Sequence, residues 1–456
     1  MIELSPGRIA AGAGAKIVQR GGGGRPERAL ADTHEVRGGE LFVGLPGEHA
    51  DGGEFAAGAL AAGAWGVLVA QDRAEAVVET EEAAGWVFAA PDPLAALQAL
   101  ARTWRRELGC SVVGITGSTG KTSVKDICRA MLPFRVHASP ENYNTEIGLP
   151  LAILGAPPET EVLALEMAMR GKGQIAELCE IAEPDVAAIT NIGPVHLELL
   201  GTLEAIIEAK AEILTGLGDR GTAVIPSDAE ALEPHIHERL VVITFGPGGE
   251  VFAQPPRVEG ESTRVEIATP DGSQEFGFPF DEAYNLTNAL AAVAIGIALH
   301  APLAEMADRA AGIVFSRLRG EVLQAGDVVI VNDSYNANPI SMRAALDHLA
   351  AMQVRGRRIA VLGEMKELGP EARAYHREVA AHARDVGVGP ILGVGELARD
   401  YAPDGWVPDA RAAIAPTERL LEPGDAVLIK GSRSVGLELL TDELVARLTP
   451  RGGDAR

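Results

Sequence analysis

The sequence predicts an α/β protein of three domains, and three observations carry that expectation. The chain has 456 residues, more than one hydrophobic core usually spans. Apolar runs of strand length alternate with stretches of helical periodicity, the pattern of parallel sheets joined by crossover helices. That alternation starts afresh twice after the N-terminal block, at CSVVGIT (110–116) and at DVVIVN (327–332).

The first block, residues 1–90, holds the glycine-rich stretch RGGGGRPERALADTHEV followed by ELFVGLPGEHADGG. A strand, LFVGL, a helical stretch, FAAGALAAGA, and a second strand, WGVLVA, make a small α/β unit. The segment PDPLAALQALARTWRREL (91–108) opens on proline with helical spacing and reads as a linking helix into the central block, residues 91–313. There CSVVGIT is a buried-strand run. Between 220 and 281, LVVITFG and TRVEIATPDGSQEFGFPF read as strands around an Asp-Gly turn, an inserted antiparallel portion, and NLTNALAAVAIGIALH reads as a buried helix. The third block, 314–456, carries DVVIVN, RRIAVLG, PILGVG and AVLIKG as strands with helical material between, a second doubly wound unit; only TPRGGDAR reads as a disordered tail.

Composition narrows the function classes. Hydrophobic residues make up 47% and charged residues 23%, ordinary for a globular protein. A formal net charge of -24 argues against general nucleic-acid or anionic-membrane binding, so sites for anionic substrates must concentrate their own cations. Cys110, Cys128 and Cys179 lack metal-type spacing and read as buried thiols in a reducing compartment. The opening MIELSPGRIAAGAGAK has no apolar signal core, and ALAAVAIGIAL (289–299) is too short to span a bilayer. The expectation is a cytoplasmic monomer.

The strongest motif is GITGSTGKTSVKD (114–126). It departs from G-x-x-x-x-G-K-[ST] by one residue, because Gly114 stands one place before the expected glycine. The order strand, GSTG turn, helix would still aim backbone N–H groups at phosphate oxygens. Gly117, Ser118, Thr119 and Gly120 would form the cradle, Lys121 would neutralise phosphate charge, and the Thr122 hydroxyl would reach a magnesium ion. Glu166 ends the apolar strand VLAL, and Asn191 and His196 follow the strand in DVAAITNIGPVH. Strand carboxyl ends are where open parallel sheets bind ligands. Alone, Glu166 reads more readily as a helix-start acid and His196 as a surface-loop residue; their shared rim points instead to metal beside phosphate.

Lys210 sits at the centre of the apolar stripe formed by Leu203, Ile206, Ile207, Ile213 and Leu214. Lysines on such stripes commonly snorkel out. A buried one has a depressed pKa, and its neutral amine can add carbon dioxide to become an anionic carbamate, a metal ligand. In the third block Asp333, Asn336 and Asn338 follow a strand in a segment that also suits a plain turn. Arg319 and Lys430 either solvate the surface or supply cations across an interdomain cleft.

These segments resemble the Mur ligase family over nearly the whole chain. DTHEVRGGELFVGLPGEHADG is similar to its uridine-binding opening, GITGSTGKTSVKD to its ATP loop with the displaced glycine, and ENYNTEIGLPLAIL to a substrate-contacting segment. TNIGPVHLELLGTLEAIIEAKAEI is similar to its magnesium and carbamyl-lysine segment. NDSYNANPISMRAAL, AVLGEMKELG with His376, and DAVLIKGSRS are similar to its third domain. DSYNANP points to members that join D-alanyl-D-alanine to UDP-N-acetylmuramoyl-tripeptide.

The resemblance implies UDP-binding, ATPase and Rossmann-like domains, with ATP as substrate and Mg2+ as cofactor. Lys121 and Thr122 would bind phosphate and magnesium, while Glu166, His196 and carbamylated Lys210 would hold metal. Asn285 would face adenine, Arg319 the γ-phosphate, and Asp333 the nucleotide. Asp32, Thr33, Asn142, Asn144, Thr145, Asn191, Asn336, Asn338 and Lys430 would line the substrate path, with Lys121, Lys210, His196 and Arg319 as the catalytic set. The chain departs from the family pattern at His34, Ala168, Gln174 and Tyr284, and VIPSDAE lacks the usual Asn-x-Asp-Asp. Two competing readings are a folylpolyglutamate-type ligase, opposed by DSYNANP and the uridine-type opening, and a non-catalytic nucleotide-binding relative, opposed by the intact GKT, Glu166, His196 and Lys210.

Overall fold

The computed structural model describes residues 2–47, 50–80, 84–219 and 221–449, and the tail from 450 onward lies outside them. Four sheets succeed one another along the chain. The first contains β1 (Lys16–Gln19), β2 (Ala29–Leu30), β3 (Leu41–Val43), β4 (Gly66–Ala70) and β5 (Trp86–Ala90), in the order β1-β5-β4-β3-β2. Only β1 runs antiparallel. The strands LFVGL and WGVLVA lie here, and Pro93–Leu108 forms the linking helix, capped by Asp92.

The second sheet is wholly parallel. Its strands are β6 (Ser111–Thr116), β7 (Val136–Ala138), β8 (Val162–Glu166), β9 (Val186–Ile189), β10 (Thr222–Pro226) and β11 (Val241–Phe245), in the order β11-β10-β9-β6-β8-β7. β11, expected beside the antiparallel insertion, instead extends this sheet by pairing with β10. The insertion is a separate sheet of β12 (Phe252–Ala253), β13 (Arg257–Glu259), β14 (Ser262–Thr269) and β15 (Gly272–Phe278), with the Asp-Gly turn joining β14 to β15. The helix Ala283–Ala298, buried along most of its length, then packs on the central sheet.

The fourth sheet runs β16-β17-β21-β18-β19-β20, from β16 (Glu321–Ala325), β17 (Val328–Asp333), β18 (Arg358–Gly363), β19 (Ile391–Val394), β20 (Gly405–Val407) and β21 (Ala426–Lys430); only β16 is antiparallel. The mixed α/β class expected from the alternation is therefore present. The central sheet reverses its winding at β6 and the last sheet near β21, the places where such sheets bind ligands. Asp126, buried midway along the helix Lys121–Met131, accepts the Ser316 N–H at 2.8 Å and its hydroxyl at 2.7 Å, anchoring the connection between the two units.

Candidate active site

The carboxyl ends of β6, β8, β9, β17 and β21 face one cleft of about 930 Å³. The chain as a whole has 40 Lys and Arg against 64 Asp and Glu. The cleft reverses that balance, with Lys121, Arg170, Arg319, Lys366, Lys430 and Arg433 against Glu146, Glu166, Glu177, Asp333 and Glu367. The cations an anionic substrate needs are therefore gathered here.

The loop after β6 owes its shape to two glycines. Gly120 caps the helix Lys121–Met131 with φ of 80°, and a Cβ there would strike Asn288 Oδ1. Gly117 has φ of 149° and is closed over by Thr190. Gly114, the residue out of register with the usual motif, is not in the loop. It lies within β6, where a Cβ would come 3.1 Å from Met167 and 3.2 Å from Ile213, so its job is to let the helix Leu203–Thr215 pack close. That helix carries Lys210.

Hydrogen bonds fix the loop from both sides. The Thr119 N–H donates to Asn191 Oδ1 at 2.8 Å, and Asn191 Nδ2 returns a bond to the Thr119 hydroxyl. Ser118 Oγ donates to the Gly193 carbonyl at 3.0 Å, and Lys121 Nζ rests on the Gly117 carbonyl at 2.8 Å. Thr122 Oγ1 donates to Glu166 Oε2 at 2.7 Å, while Asn144 Nδ2 donates to Glu166 Oε1 at 3.0 Å. Burial alone would raise the Glu166 carboxyl, but Lys121, Arg319 and the Thr122 hydroxyl hold it below the ordinary value. It is therefore an anion, with oxygens suited to a hard cation.

Lys210 is 2% exposed, and among the described residues no hydrogen bond or ion pair reaches its amine. Desolvation, with the nearby Lys121 charge, pushes its pKa well below the usual lysine value. Ile206, Ile213 and Leu214 are buried as the stripe predicts, whereas Leu203 is exposed. His196, in the left-handed region with φ of 55°, presents Nδ1 to Glu367 Oε2 at 2.5 Å. A carboxylate behind an imidazole fixes the ring so that its other nitrogen can ligate.

Across the cleft, Lys430 Nζ donates to Asp333 Oδ2 at 2.5 Å and to the Asn336 carbonyl at 2.9 Å. The Arg319 guanidinium sits 3.9 Å over the Tyr335 ring, and the Tyr335 hydroxyl bonds Asn142 Oδ1 of the opposite wall. Asn338 lines the cleft but spends its side chain capping the helix Pro339–Ala351, accepting the Ser341 N–H at 3.0 Å. The Thr145 hydroxyl similarly accepts the Gly148 N–H at 3.3 Å.

Lys210, Asn285 and the pair Asp32 and Thr33, all expected at the site, do not line the cleft wall. Asn285 is buried, donating to Glu282 Oε2 at 3.2 Å and accepting from Asn288 at 3.2 Å; Asn288, one helical turn on, is the residue exposed to the cleft. Asp32 and Thr33 belong to the N-terminal unit, where Asp32 caps the turn Thr33–Glu35 and binds exposed His34. That turn lies near Tyr143: burial raises the Tyr143 phenol, and Glu35 and Asp32 add to the rise. Tyr335, Asn288, Glu367, Lys366 and Arg433 were not singled out from sequence. The i, i+3 spacing from Asn285 could have signalled Asn288, while Glu367 and Lys366 lay unassigned within GEMKELG. Of the departures, Ala168 and Tyr284 line the cleft, and Gln174 Oε1 accepts the Arg170 and Gly171 N–H groups at 2.6 and 3.1 Å.

The three cysteines are free and buried, and no helix among the described residues is long and apolar enough to cross a membrane. Residues 115–296 match the Mur ligase middle domain, and residues 318–433 match the Mur ligase, glutamate ligase domain. The UDP-N-acetylmuramoyl-tripeptide–D-alanyl-D-alanine ligase of Bacillus subtilis is 33% identical over 91% of this chain and 92% of its own. The ligase of the same name from Mycobacterium tuberculosis is 35% identical over 98% of each. Among solved structures, MurF from Acinetobacter baumannii superposes with a TM-score of 0.87 at 25% identity, over 97% of this chain and 99% of that one. MurF ligase from Thermotoga maritima, in complex with ADP, gives 0.79 at 29% identity over 92% and 97%. With its loop, its cation-rich cleft and its buried lysine on that scaffold, the chain belongs to the Mur ligase family.

Proposed function

We propose that this protein is a cytoplasmic ATP-dependent ligase that joins D-alanyl-D-alanine to UDP-N-acetylmuramoyl-tripeptide, an amide-forming step in peptidoglycan precursor synthesis. The observation that carries the reading is the pairing of two sheet switch points across one cation-rich cleft: a phosphate loop on one wall, Lys430 and Arg319 on the other. The names of relatives that align over nearly the full chain supply the substrates. We divide the chain into a UDP-substrate unit (1–90), an ATPase unit (91–313) and a C-terminal ligase unit (314–456).

In the reaction, the tripeptide's terminal carboxylate oxygen attacks the γ-phosphorus of ATP. A new O–P bond forms as the bond to the ADP oxygen breaks, giving an acyl phosphate. The amine of D-alanyl-D-alanine then attacks the acyl carbon, a C–N bond forms, inorganic phosphate leaves, and the nitrogen loses a proton. Lys121 and Arg319 would offset charge on the transferred phosphoryl group, and the N–H groups of Gly117, Ser118, Thr119 and Gly120 would cradle its neighbours.

The oxygens of Thr122 and Glu166, 2.7 Å apart, and the carboxylate-backed imidazole of His196 fit magnesium ligation. Carbamylation of Lys210 would add an oxygen ligand and give its unpaired amine a charge partner. Magnesium bound there would neutralise phosphate oxygens and raise the electrophilicity of phosphorus. Asp32 and Thr33 would contact the uridine end; Asn142, Asn144, Thr145 and Asn191 the peptide; Asn336, Asn338 and Lys430 the incoming amine; and Asp333 the nucleotide, which Asn285 positions through Asn288.

Phosphate release measured with UDP-N-acetylmuramoyl-tripeptide, with and without D-alanyl-D-alanine, tests the proposal. Release that depends on the dipeptide and yields the pentapeptide nucleotide is expected. Dipeptide-independent hydrolysis, or release driven instead by glutamate with a folate acceptor, would overturn it.

A further inference from the structure

Outside the cleft, three metal-ligating side chains converge where the central and C-terminal units meet. Asp281 and Glu282 precede the helix Ala283–Ala298, and His348 comes from the helix Pro339–Ala351; one donor atom of each lies within 4.8 Å of the others. The His348 side chain is 5% exposed, yet its ring makes no hydrogen bond among the described residues. Nε2 is buried without a partner, and Nδ1 stands 3.9 Å from Asp281 Oδ1, beyond hydrogen-bond reach. Buried polar nitrogens are nearly always paired, so a ring with Nε2 unpartnered and Nδ1 only loosely facing a carboxylate calls for a group that completes it. Glu282 is buried as well; its carboxylate accepts the Asn285 amide at 3.2 Å, and no Lys or Arg among the described residues pairs with it. Asp281, 28% exposed, leaves the cluster open to solvent on one side.

We propose that Asp281, Glu282 and His348 form a binding site for a divalent first-row transition-metal ion that ties the two units together behind the nucleotide wall of the cleft. One imidazole and two carboxylates are a donor set for Zn2+, with water completing a tetrahedron, whereas Mg2+ dehydrates reluctantly and keeps several waters in an octahedral shell. Zinc bonds of roughly 2.0–2.2 Å require the donors to draw in from their present spacing, which side-chain rotation at a helix terminus allows. The carboxylates belong to the unit that presents Tyr284 and Asn288 to the cleft, and the imidazole to the helix that Asn338 caps. An occupied site therefore holds the two walls at one separation. It is independent of the magnesium ligands, none of which it shares.

Cobalt titration of the full-length, chelator-treated protein tests this, with excess Mg2+ present to occupy the oxygen ligands of the cleft. One equivalent of Co2+ should bind with the visible absorption of a four- or five-coordinate nitrogen–oxygen site, and Zn2+ should displace it. His348→Gln and Asp281→Asn should each weaken binding by more than roughly tenfold, the loss that outer-shell changes alone produce. Glu166→Gln should leave it unchanged. Metal-free melting curves of His348→Gln and Asp281→Asn that match the wild type show the fold is kept, and Asp281, being partly exposed, is the safer of the two. Absence of a Co2+ equivalent, or equal affinity and spectrum in wild type and both ligand variants, would overturn the site.

Discussion

The central and C-terminal units each bury a lysine to the same depth, 2% exposed, in opposite surroundings. Lys430 is surrounded by oxygen, with Asp333 Oδ2 at 2.5 Å and the Asn336 carbonyl at 2.9 Å. Lys210 has apolar neighbours on its helix face, Lys121 close enough to repel it, and no anion. A buried charge without a partner is costly enough that the group gives up its proton instead. The C-terminal unit therefore holds a finished ion pair, and the central unit holds a buried amine without an anion beside it. Burial alone does not tell the two apart; the partners do.

The sharpest way to break this contrast is to remove each charge while keeping the stem. Lys430→Met leaves Asp333 without its cation in a mostly buried position and should cost about 3 kcal/mol of stability, read from denaturant unfolding. Lys210→Met removes a group that opposes folding and should cost nothing or add stability. Equal losses in both would mean that Lys210 has an unrecognised partner. Next in size is activity. With a carbamate in the proposed metal site, Lys210→Ala should lower phosphate release by at least the roughly 10- to 100-fold that losing an outer-shell metal partner costs, and short carboxylic acids should restore part of it. Full activity without rescue would remove the carbamate from the mechanism.

A smaller effect separates the amine from the ammonium. In the unfolded chain Lys210 keeps its proton to about pH 10.4, while in the folded protein it releases it at lower pH. Between those values the unfolded state binds more protons, so stability rises with pH across the window. In carbon-dioxide-free buffers from about pH 7 to about pH 10, the wild type should gain Tm relative to Lys210→Met. Parallel curves would show that the folded protein keeps Lys210 protonated.

How much of this was legible beforehand depends on whether a residue's role is local. The phosphate loop, the stripe around Lys210 and the alternation of strands and helices are written in spacings of a few residues, and each lies in the element its spacing implied. Short edge strands such as β7 and β20 lack enough apolar residues to announce themselves. β11 read as part of the insertion because a strand's sequence does not name the neighbour it pairs with. Glu367 behind His196 and Tyr335 against Asn142 are separated by 171 and 193 residues, and only the packed fold brings them together. Asn338 and Asn285 stood out as polar groups, but the fold claims their side chains, Asn338 to cap its helix and Asn285 to bond Glu282 and Asn288.

Tyr335 gives the finest test, because it is one of the contacts through which the two walls meet. Its ring carries the Arg319 guanidinium at 3.9 Å, and its hydroxyl bonds Asn142 across the cleft. Tyr335→Phe keeps the ring and deletes only the bond between walls, which is worth about 0.5–1.5 kcal/mol. KM for the nucleotide substrates should rise roughly two- to tenfold with kcat nearly unchanged, since closure becomes harder while the cation stays in place. Tyr335→Leu also removes the aromatic face, and kcat should then fall by a further few-fold as Arg319 loses its seat. A drop in kcat already in Tyr335→Phe would mean the hydroxyl acts on the reacting groups. The walls would then be coupled through chemistry rather than through closure, and the paired and unpaired lysines would not report on them separately.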